Sequence, residues 1–402
     1  MKIAFIVTHY YPYMDAVGNC VDRVIKELPS SYNIDILCLN SYDKNAIIPK
    51  HTNCEIIFCN SNFNSFVFEK VHSKILSILL RCFRFLTIVF SKNMLRKDIE
   101  IQISKVLECK EYDAIVPCMY PVEGIVAALN SKCKNVIPYM FDNFVECDDY
   151  YRFPILRKMH YSSNFRLMKR ILEQATSVIA TPTFKSFFDK NFSTYSINYC
   201  EHPLLCDRIS GITYKRKDSL CFLYAGSLVR NYIIADFCVN FLKLASEEIE
   251  ITAKFYIGGN AVDVVKDASF NYPQIYSWSN FIPRDQLLNE FCNYDIFISI
   301  AEKKGKQFSS KIFDYISTGK PIVHFYTAED DINLAALRKY PNALLIKETP
   351  EIKNEDIKRF VKFISAEHKP INFKYLKEIY ADANPKYTSD LLISIIENNG
   401  GN

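Results

Sequence analysis

The sequence predicts an α/β chain folded as two doubly wound domains in series, and three observations carry that reading. Short apolar runs alternate with amphipathic stretches twice over, the pattern of a mainly parallel sheet covered on both faces. With 402 residues and 49% hydrophobic composition, the chain can bury two cores. Between residues 199 and 206 the alternation is interrupted by Glu201-His202-Pro203, which marks a junction. We therefore expect one Rossmann-like domain over 1–200 and a second over 201–383. A terminal helix and tail over 384–402 should pack back across the first domain.

The elements follow in order. Residues 2–8 are strongly apolar and too short for a signal peptide, with no small-residue cleavage site after them, so they read as the first strand. Further strands are expected at 34–39, 54–58, 114–117, 136–139 and 177–180. Helices between them are expected at 17–28, in a basic segment running to residue 108, and at 122–130, 154–175 and 183–191. In the second half the expected strands are 219–224, 251–257, 275–278, 296–300, 321–325 and 343–346. The intervening helices are 233–246, 284–293, 310–318 and 352–366, and the last helix spans 384–398.

Composition narrows the class. A formal net charge of +4 is mildly basic and lacks the one-sided charge blocks of a nucleic-acid binder. The 14 cysteines are scattered without a Cys-x-x-Cys pair, and many fall in strand-like runs, which suits reduced core thiols in the cytosol rather than disulfides or zinc. One segment stands apart. Residues 70–97 hold seven Lys or Arg and no acidic residue among many Ile, Leu and Phe. Arg81 and Arg84 break the apolar run well short of the ~20 residues a spanning helix needs. The segment fits a helix lying on an anionic membrane surface, which would place the protein peripherally on the inner face of the cell membrane. A core helix with two snorkelling arginines is the plainer alternative.

In doubly wound folds, ligands meet the carboxyl ends of the strands, which selects the loops to read. After the first strand comes an aromatic loop from Thr8 to Asn19 that holds His9; Gly18 lets the backbone approach a ligand closely, the amides beyond it can form an anion or hydroxyl site, and Tyr11, Gly18 and Asn19 are expected on the acceptor side. The second domain opens with Tyr224-Ala225-Gly226-Ser227-Leu228-Val229-Arg230, read as a turn whose arginine can fork onto a phosphate. The next strand runs into Gly258-Gly259, another close backbone approach. The strongest local signal is the run from Gln307 to Val323. A polar loop with Ser309 and Ser310 opens a helix containing Lys311 and Asp314, Gly319 ends that helix, and Pro321 launches a strand. Amides and hydroxyls at a positive helix end favour an anion, although an ordinary capped α/β helix has the same spacing.

Five blocks, in this order and spacing, resemble the C-terminal half of GT-B glycosyltransferases, most of all the retaining glycosyltransferase family 4. They are Phe222-Leu223-Tyr224-Ala225-Gly226-Ser227-Leu228, Ile257-Gly258-Gly259, Phe281-Ile282-Pro283-Arg284-Asp285-Gln286-Leu287-Leu288, Tyr294-Asp295-Ile296-Phe297-Ile298, and Ser310 through Pro321. His9-Tyr10-Tyr11-Pro12 through Gly18 is similar to the N-terminal loop of the same family. The resemblance implies a GT-B architecture, two Rossmann-like domains facing across a crevice. It places Asp314 where that family has the second glutamate of its Glu-x7-Glu signature, which holds ribose hydroxyls. Lys306 stands in place of the first glutamate. Lys303, Lys304 and Lys306 could bring positive charge to a diphosphate, Ser309 and Ser310 match the phosphate-binding helix start, and Arg230 lies in a basic diphosphate loop. The base is expected at the loop from Trp278 to Ile282, through backbone groups and a ring face, with Gly258, Trp278, Phe281 and Ile282 as candidate nucleoside contacts. Asp142, after the strand ending in Tyr139, resembles an acceptor-side position; a helix N-cap is its ordinary reading.

The implied activity is transfer of a sugar from a UDP- or GDP-linked donor to a glycan or lipid-linked acceptor, in bacterial surface polysaccharide synthesis. Retention is implied, with the leaving phosphate helping to deprotonate the acceptor. No cofactor and no metal are implied, and no Asp-x-Asp motif is present. Three other classes remain in view. An inverting enzyme would need a base such as His9, Asp142 or His160. A non-catalytic nucleotide-sugar-binding relative would fit the missing first glutamate, and a nonhydrolytic epimerase is a third reading.

Overall fold

The computed structural model describes residues 1–11, 14–39, 53–59, 94–146, 154–206, 209 and 219–400. Most of the basic 70–97 segment lies outside these residues. No helix among the described residues is long and apolar enough to cross a membrane. The chain forms two compact units, residues 1–203 with 385–402, and residues 204–384.

In the first unit, β1 (Lys2–Val7), β2 (Asn33–Cys38), β3 (Cys54–Phe58) and β4 (Ala114–Pro117) form a parallel sheet in the order β3-β2-β1-β4. Single-residue bridges from Ile115 to Val136 and from Cys118 to Tyr139 carry the parallel arrangement on to β5 (Tyr139–Met140), which continues with β6 (Ile179–Ala180) and β7 (Asn198–Tyr199). β1 is buried on both faces, as a near-continuous apolar run in a covered parallel sheet must be. The terminal helix Pro385–Gly400 belongs to this unit and packs against the helix Ala16–Glu27. The expected return of the chain to the first domain is therefore seen.

The second unit is a six-stranded, all-parallel sheet of β8 (Leu220–Leu228), β9 (Ile251–Gly259), β10 (Tyr276–Ser279), β11 (Ile296–Ile300), β12 (Ile322–Tyr326) and β13 (Ala343–Lys347), ordered β10-β9-β8-β11-β12-β13. This is the doubly wound order in which the winding reverses between β8 and β11. Aromatic packing closes both faces. On one, Phe241 meets Phe325 and Phe360 with ring centroids 5.4 and 5.3 Å apart. On the other, Tyr315 stacks on Phe297 at 4.5 Å. Gly319 ends the helix Lys311–Ser317 at φ +75°, and a Cβ there would lie 2.5 Å from the Ile371 carbonyl oxygen. Only glycine fits this turn without strain.

The strand pattern was legible, with two instructive departures. β8 runs four residues beyond the expected end at Tyr224, because Gly226 and Leu228 keep pairing with Ile257 and Gly259. Gly226 is thus a strand residue rather than part of a turn. Three short helices, Asp263–Asn271, Asn333–Leu337 and Phe373–Ile379, had no counterpart in the sequence reading. The described cysteines are free thiols, and burial pushes Cys38 up to about 12 and Cys59 up to about 11, so they behave as core hydrophobes.

Candidate active site

The second unit opens where its winding reverses. β8 pairs with β9 along its whole length, from Leu220 opposite Ile251 to Leu228 opposite Gly259. It pairs with β11 only at Phe222 and Leu223. From Ala225 onward the two central strands part, and the Tyr315 hydroxyl fills the gap by accepting a hydrogen bond from the Ala225 amide at 3.2 Å. A split between central strands at their carboxyl ends is the ordinary ligand position of this topology.

Three loops border the split. The first is the turn after β8, closed by the Val229 amide donating to the Ile233 carbonyl at 2.8 Å, with Asn231 at φ +63°. It exposes Arg230, whose backbone amide donates to Asn260 Oδ1 at 2.8 Å and whose guanidinium has no ion pair among the described residues. The second follows β9, where the Phe281 ring lies directly on Gly258. A Cβ on Gly258 would sit 2.5 Å from that ring, yet Phe281 is still 55% exposed. A half-exposed phenylalanine laid over a peptide is a flat platform of the kind that a nucleobase covers. Ile282 beside it is half-buried. Trp278 is not part of this platform: it shares a strand face with Tyr276, packs on the hydrophobic core and lies under Lys266 at 4.8 Å.

The third loop follows β11 and is built from inside. Glu302 is buried, and its carboxylate accepts hydrogen bonds from the backbone amides of Lys304, at 2.8 Å, and of Lys306. Gly305 sits at φ +65° with its Cβ position 2.7 Å from Asp331 Cα, and the Lys303 amide donates to the Tyr232 carbonyl at 2.8 Å. This fixes where the lysines stand. Lys303 and Lys304 are exposed, but Lys306 turns outward to pair with Asp330, so its charge is already partnered. The sequence reading does not include Glu302, although a carboxylate two residues beyond a buried strand and just before Lys-Lys-Gly is the available signal.

The loop then reaches Ser309 and Ser310. The Ser309 amide is not open: it donates to Asn333 Oδ1 at 2.8 Å. Ser310 occupies the N-cap with helical backbone angles and makes no capping bond, which leaves its hydroxyl for another partner. The helix is only seven residues, so its dipole contributes less than the sequence pattern implied. Asp314, on its first turn, is buried, and an Arg284 Nη2 lies 2.5 Å from its carboxylate. The ribose-holding role implied for Asp314 thus meets a side chain that already holds an arginine. Lys311 stands near both; burial and the charge of Arg284 lower its pKa against the pull of Asp314.

In the first unit, the loop after β1 is self-contained. Asp15 caps the helix Ala16–Glu27 by accepting from the Gly18 amide at 2.8 Å, and Asn19 Nδ2 donates to the Asp15 carbonyl at 2.8 Å. A Cβ on Gly18 would lie 2.2 Å from the His9 carbonyl oxygen, so this glycine serves loop closure rather than an open amide site. Tyr11 meets Tyr10 edge to face at 5.1 Å, and His9 is exposed. His160, on the helix Pro154–Gln174, is half-buried against Asn164 and its pKa is lowered by burial.

At the far end of the same sheet, Asp142 follows β5. The capping role falls to Asn143, whose Oδ1 accepts from the Val145 amide at 3.1 Å, and the Asp142 carboxylate is left free of it. Burial raises the Asp142 pKa, and the charge of His202 opposes that rise. His202 is buried beside Phe141, with Nδ1 2.8 Å from Glu201 Oε1. Sequence reasoning used Glu201-His202-Pro203 only as a pattern break. The structure brings these side chains to the carboxyl ends of β5 and β7, next to Thr181 after β6, whose hydroxyl donates to the Phe141 carbonyl at 2.8 Å. Among the described residues, no group of three His, Cys, Asp or Glu is placed to hold a metal ion.

No family model matches the sequence, and no curated protein matches it. Solved structures do match along the whole chain. A structure described as trehalose-6-phosphate from E. coli bound with UDP-2-fluoro glucose superposes with a TM-score of 0.61 at 8% identity, covering 99% of both chains. A TarM mutant from S. aureus, in complex with Fondaparinux, alpha-GlcNAc-glycerol and UDP, gives 0.61 at 12% identity over 100% of both. The UDP-GlcNAc 2-epimerase from Methanocaldococcus jannaschii gives 0.56 at 10% identity over 98% of this chain and 99% of its own. Two parallel doubly wound units in this order, matched end to end by such structures, make the architecture of this chain the GT-B fold.

Proposed function

We propose that the chain is a glycosyltransferase, moving a sugar from a nucleoside-diphosphate donor held in the second unit to a glycan or lipid-linked acceptor held by the first. The observation that carries this reading is the split between β8 and β11, bordered by a flat aromatic platform at Gly258–Phe281 and a polar, cationic side formed by Arg230, Lys311 and the Ser310 hydroxyl. A nucleotide sugar has the matching chemistry: a flat base at one end and a diphosphate in the middle. The cations stabilise the charge that develops on the leaving diphosphate, which is commonly the largest single contribution to such catalysis. Transfer with retention follows if the leaving phosphate takes the acceptor proton, and this route needs no metal. Asp142 is the acceptor-side carboxylate of the reading. UDP is the first nucleotide to try, since two of the matched structures hold a uridine nucleotide.

A thermal-shift screen of UDP, GDP and their sugars tests the donor site. A nucleotide at 100 times its dissociation constant stabilises the native state by about 2.7 kcal/mol. The transition of the second unit should therefore rise by several degrees with one nucleotide family, and no rise with any of them would refute the donor site.

The acceptor is read as lipid-linked because the first unit carries a basic, partly apolar helix face. On Pro154–Gln174, Ile155 is 71% and Met159 44% exposed, and Lys158, Arg166 and Lys169 lie on the same outward side. Apolar tips among cations suit the headgroup region of an anionic bilayer. At about 1 kcal/mol per cation, the variant K158E/R166E/K169E should lose at least tenfold in co-sedimentation with phosphatidylglycerol vesicles. Equal binding of variant and wild type would remove this helix face as the membrane contact.

A further inference from the structure

We propose that Tyr315 is a positioning residue for the donor: its side chain wedges β8 from β11 and so fixes the spacing of the groups that meet the diphosphate on the two sides of the split. The proposal rests on the donor reading above and assigns the residue that makes the split. Along β8, the backbone groups of Cys221, Leu223 and Ala225 turn toward β11, because alternate residues of a strand face opposite neighbours. The Cys221 carbonyl accepts from the Asp295 amide at 2.8 Å, and the Cys221 amide donates to Asp295 Oδ2 at 2.9 Å. Leu223 pairs with Phe297. At Ala225 the pairing stops, and the amide donates to the Tyr315 hydroxyl at 3.2 Å instead. A side chain stands where the next strand bond would form.

Neither strand ends there. β8 stays paired with β9 as far as Leu228, and β11 stays paired with β12 as far as Ile300 opposite Phe325. Two strands that part while both continue need something between them, and Tyr315 has the shape for it. Its ring stacks on Phe297 of β11, with centroids 4.5 Å and planes 11° apart, and meets Phe291 at 5.6 Å. Its hydroxyl end reaches β8. Both Tyr315 and Ala225 are buried, so close packing holds the ring in place and the amide depends on this one acceptor. The wedge also joins the phosphate-side parts. Tyr315 lies on the helix that Ser310 and Lys311 open, and β8 runs on to the turn that exposes Arg230. The aromatic platform is built separately, from Gly258 of β9 and Phe281 after β10. Loss of the wedge should therefore weaken the hold on the diphosphate and spare the base.

The test compares UDP with uridine by titration calorimetry on the full chain, in wild type and in Y315F, which keeps the ring but strands the Ala225 amide. Should wild type prefer GDP, GDP and guanosine take their places. Y315F should melt a few degrees lower than wild type. At a temperature where both proteins are fully folded, its UDP dissociation constant should rise at least fivefold while that for uridine changes less than twofold. A lower melting temperature with UDP affinity within twofold of wild type would mark a purely structural tyrosine and overturn the proposal, as would equal losses for UDP and uridine. A second measurement needs wild type alone and stands even if Y315F fails to fold. Amide hydrogen exchange, read by mass spectrometry on peptides containing Ala225, should slow at least threefold with UDP and stay unchanged with uridine, and the same response to both would overturn the wedge. Wild type that binds neither UDP nor GDP would overturn the donor reading, and this inference with it.

Discussion

Replacing Asp331 by alanine is expected to destabilise the second unit by about 3–5 kcal/mol, the cost of stranding two or three buried donors at 1–3 kcal/mol each. Asp331 is buried at the centre of a hydrogen-bonded chain that runs from the sheet to the candidate donor loop. Its Oδ1 accepts from the Asn333 amide at 2.8 Å and from Asn333 Nδ2 at 2.7 Å. Its Oδ2 lies 3.3 Å from His324 Nε2, and His324 Nδ1 lies 2.9 Å from Ser299 Oγ across the paired strands β12 and β11. The carboxylate can only accept, so the consistent tautomer has Nε2–H donating to Asp331 and the Ser299 hydroxyl donating to Nδ1. At the other end, Asn333 Nδ2 also donates to the Gln307 carbonyl at 3.1 Å, and its Oδ1 takes the Ser309 amide.

Urea denaturation of the full chain measures the loss. S299A should cost under about 1.5 kcal/mol, the net worth of one ordinary hydrogen bond, because it removes the outermost link. D331N keeps an acceptor for Asn333 but turns an N–H₂ toward His324, forcing the ring to change tautomer, and should fall between the two. A destabilisation of D331A below ~1 kcal/mol would mean that the chain of bonds does not hold the loop. If it does hold the loop, D331A should also lose the nucleotide-induced thermal shift, because Ser309 and Ser310 are then no longer fixed.

What the sequence showed and what it hid divide along a physical line. Elements declared by local pattern were legible: the alternation of buried strands with amphipathic helices, Gly319 at a helix end, and the Ser309-Ser310 start. Contacts made between distant residues were not. Nothing local to Asp314 says that Arg284, thirty residues earlier, will occupy its carboxylate, or that Lys306 will turn to Asp330. The aromatic Trp278 read as a base-binding ring until strand pairing placed it on the helix-covered face with Tyr276. The amides from Gly18 onward read as an open site because nothing local to Gly18 shows that Asp15, three residues back, caps the helix and takes the Gly18 amide. Gly226 reads as a turn residue because glycines more often end strands than extend them. Here β8 outlasts its pairing with β11, and that mismatch creates the split. Glu302 and His202 are the clearest omissions, each a buried ionisable group at a strand's carboxyl end.

The same division governs the first unit. Asp142 was found from its position after a strand, and the structure adds the reason to keep it: Asn143 takes the capping duty, so burial of the Asp142 carboxylate is unexplained by helix architecture. Its neighbour His202 adds an opposing charge whose orientation is set by Glu201.

The central claim is that this chain transfers a glycosyl group, and acceptor-dependent release of nucleotide tests it most directly. The wild-type protein is incubated with the nucleotide sugar selected by thermal shift, with and without a lipid-linked glycan in anionic vesicles. Released nucleoside diphosphate is followed by coupled assay, and the product's anomeric centre by NMR. The expected chemistry is cleavage of the bond from the sugar's anomeric carbon to the diphosphate oxygen, formation of a bond to the acceptor hydroxyl oxygen, and passage of that hydroxyl's proton to the leaving phosphate. The account predicts release that rises with acceptor concentration, persists in EDTA, and yields a glycosidic bond of the donor's own configuration. Donor binding without release, or recovery of an epimerised sugar in place of a glycoside, would contradict it.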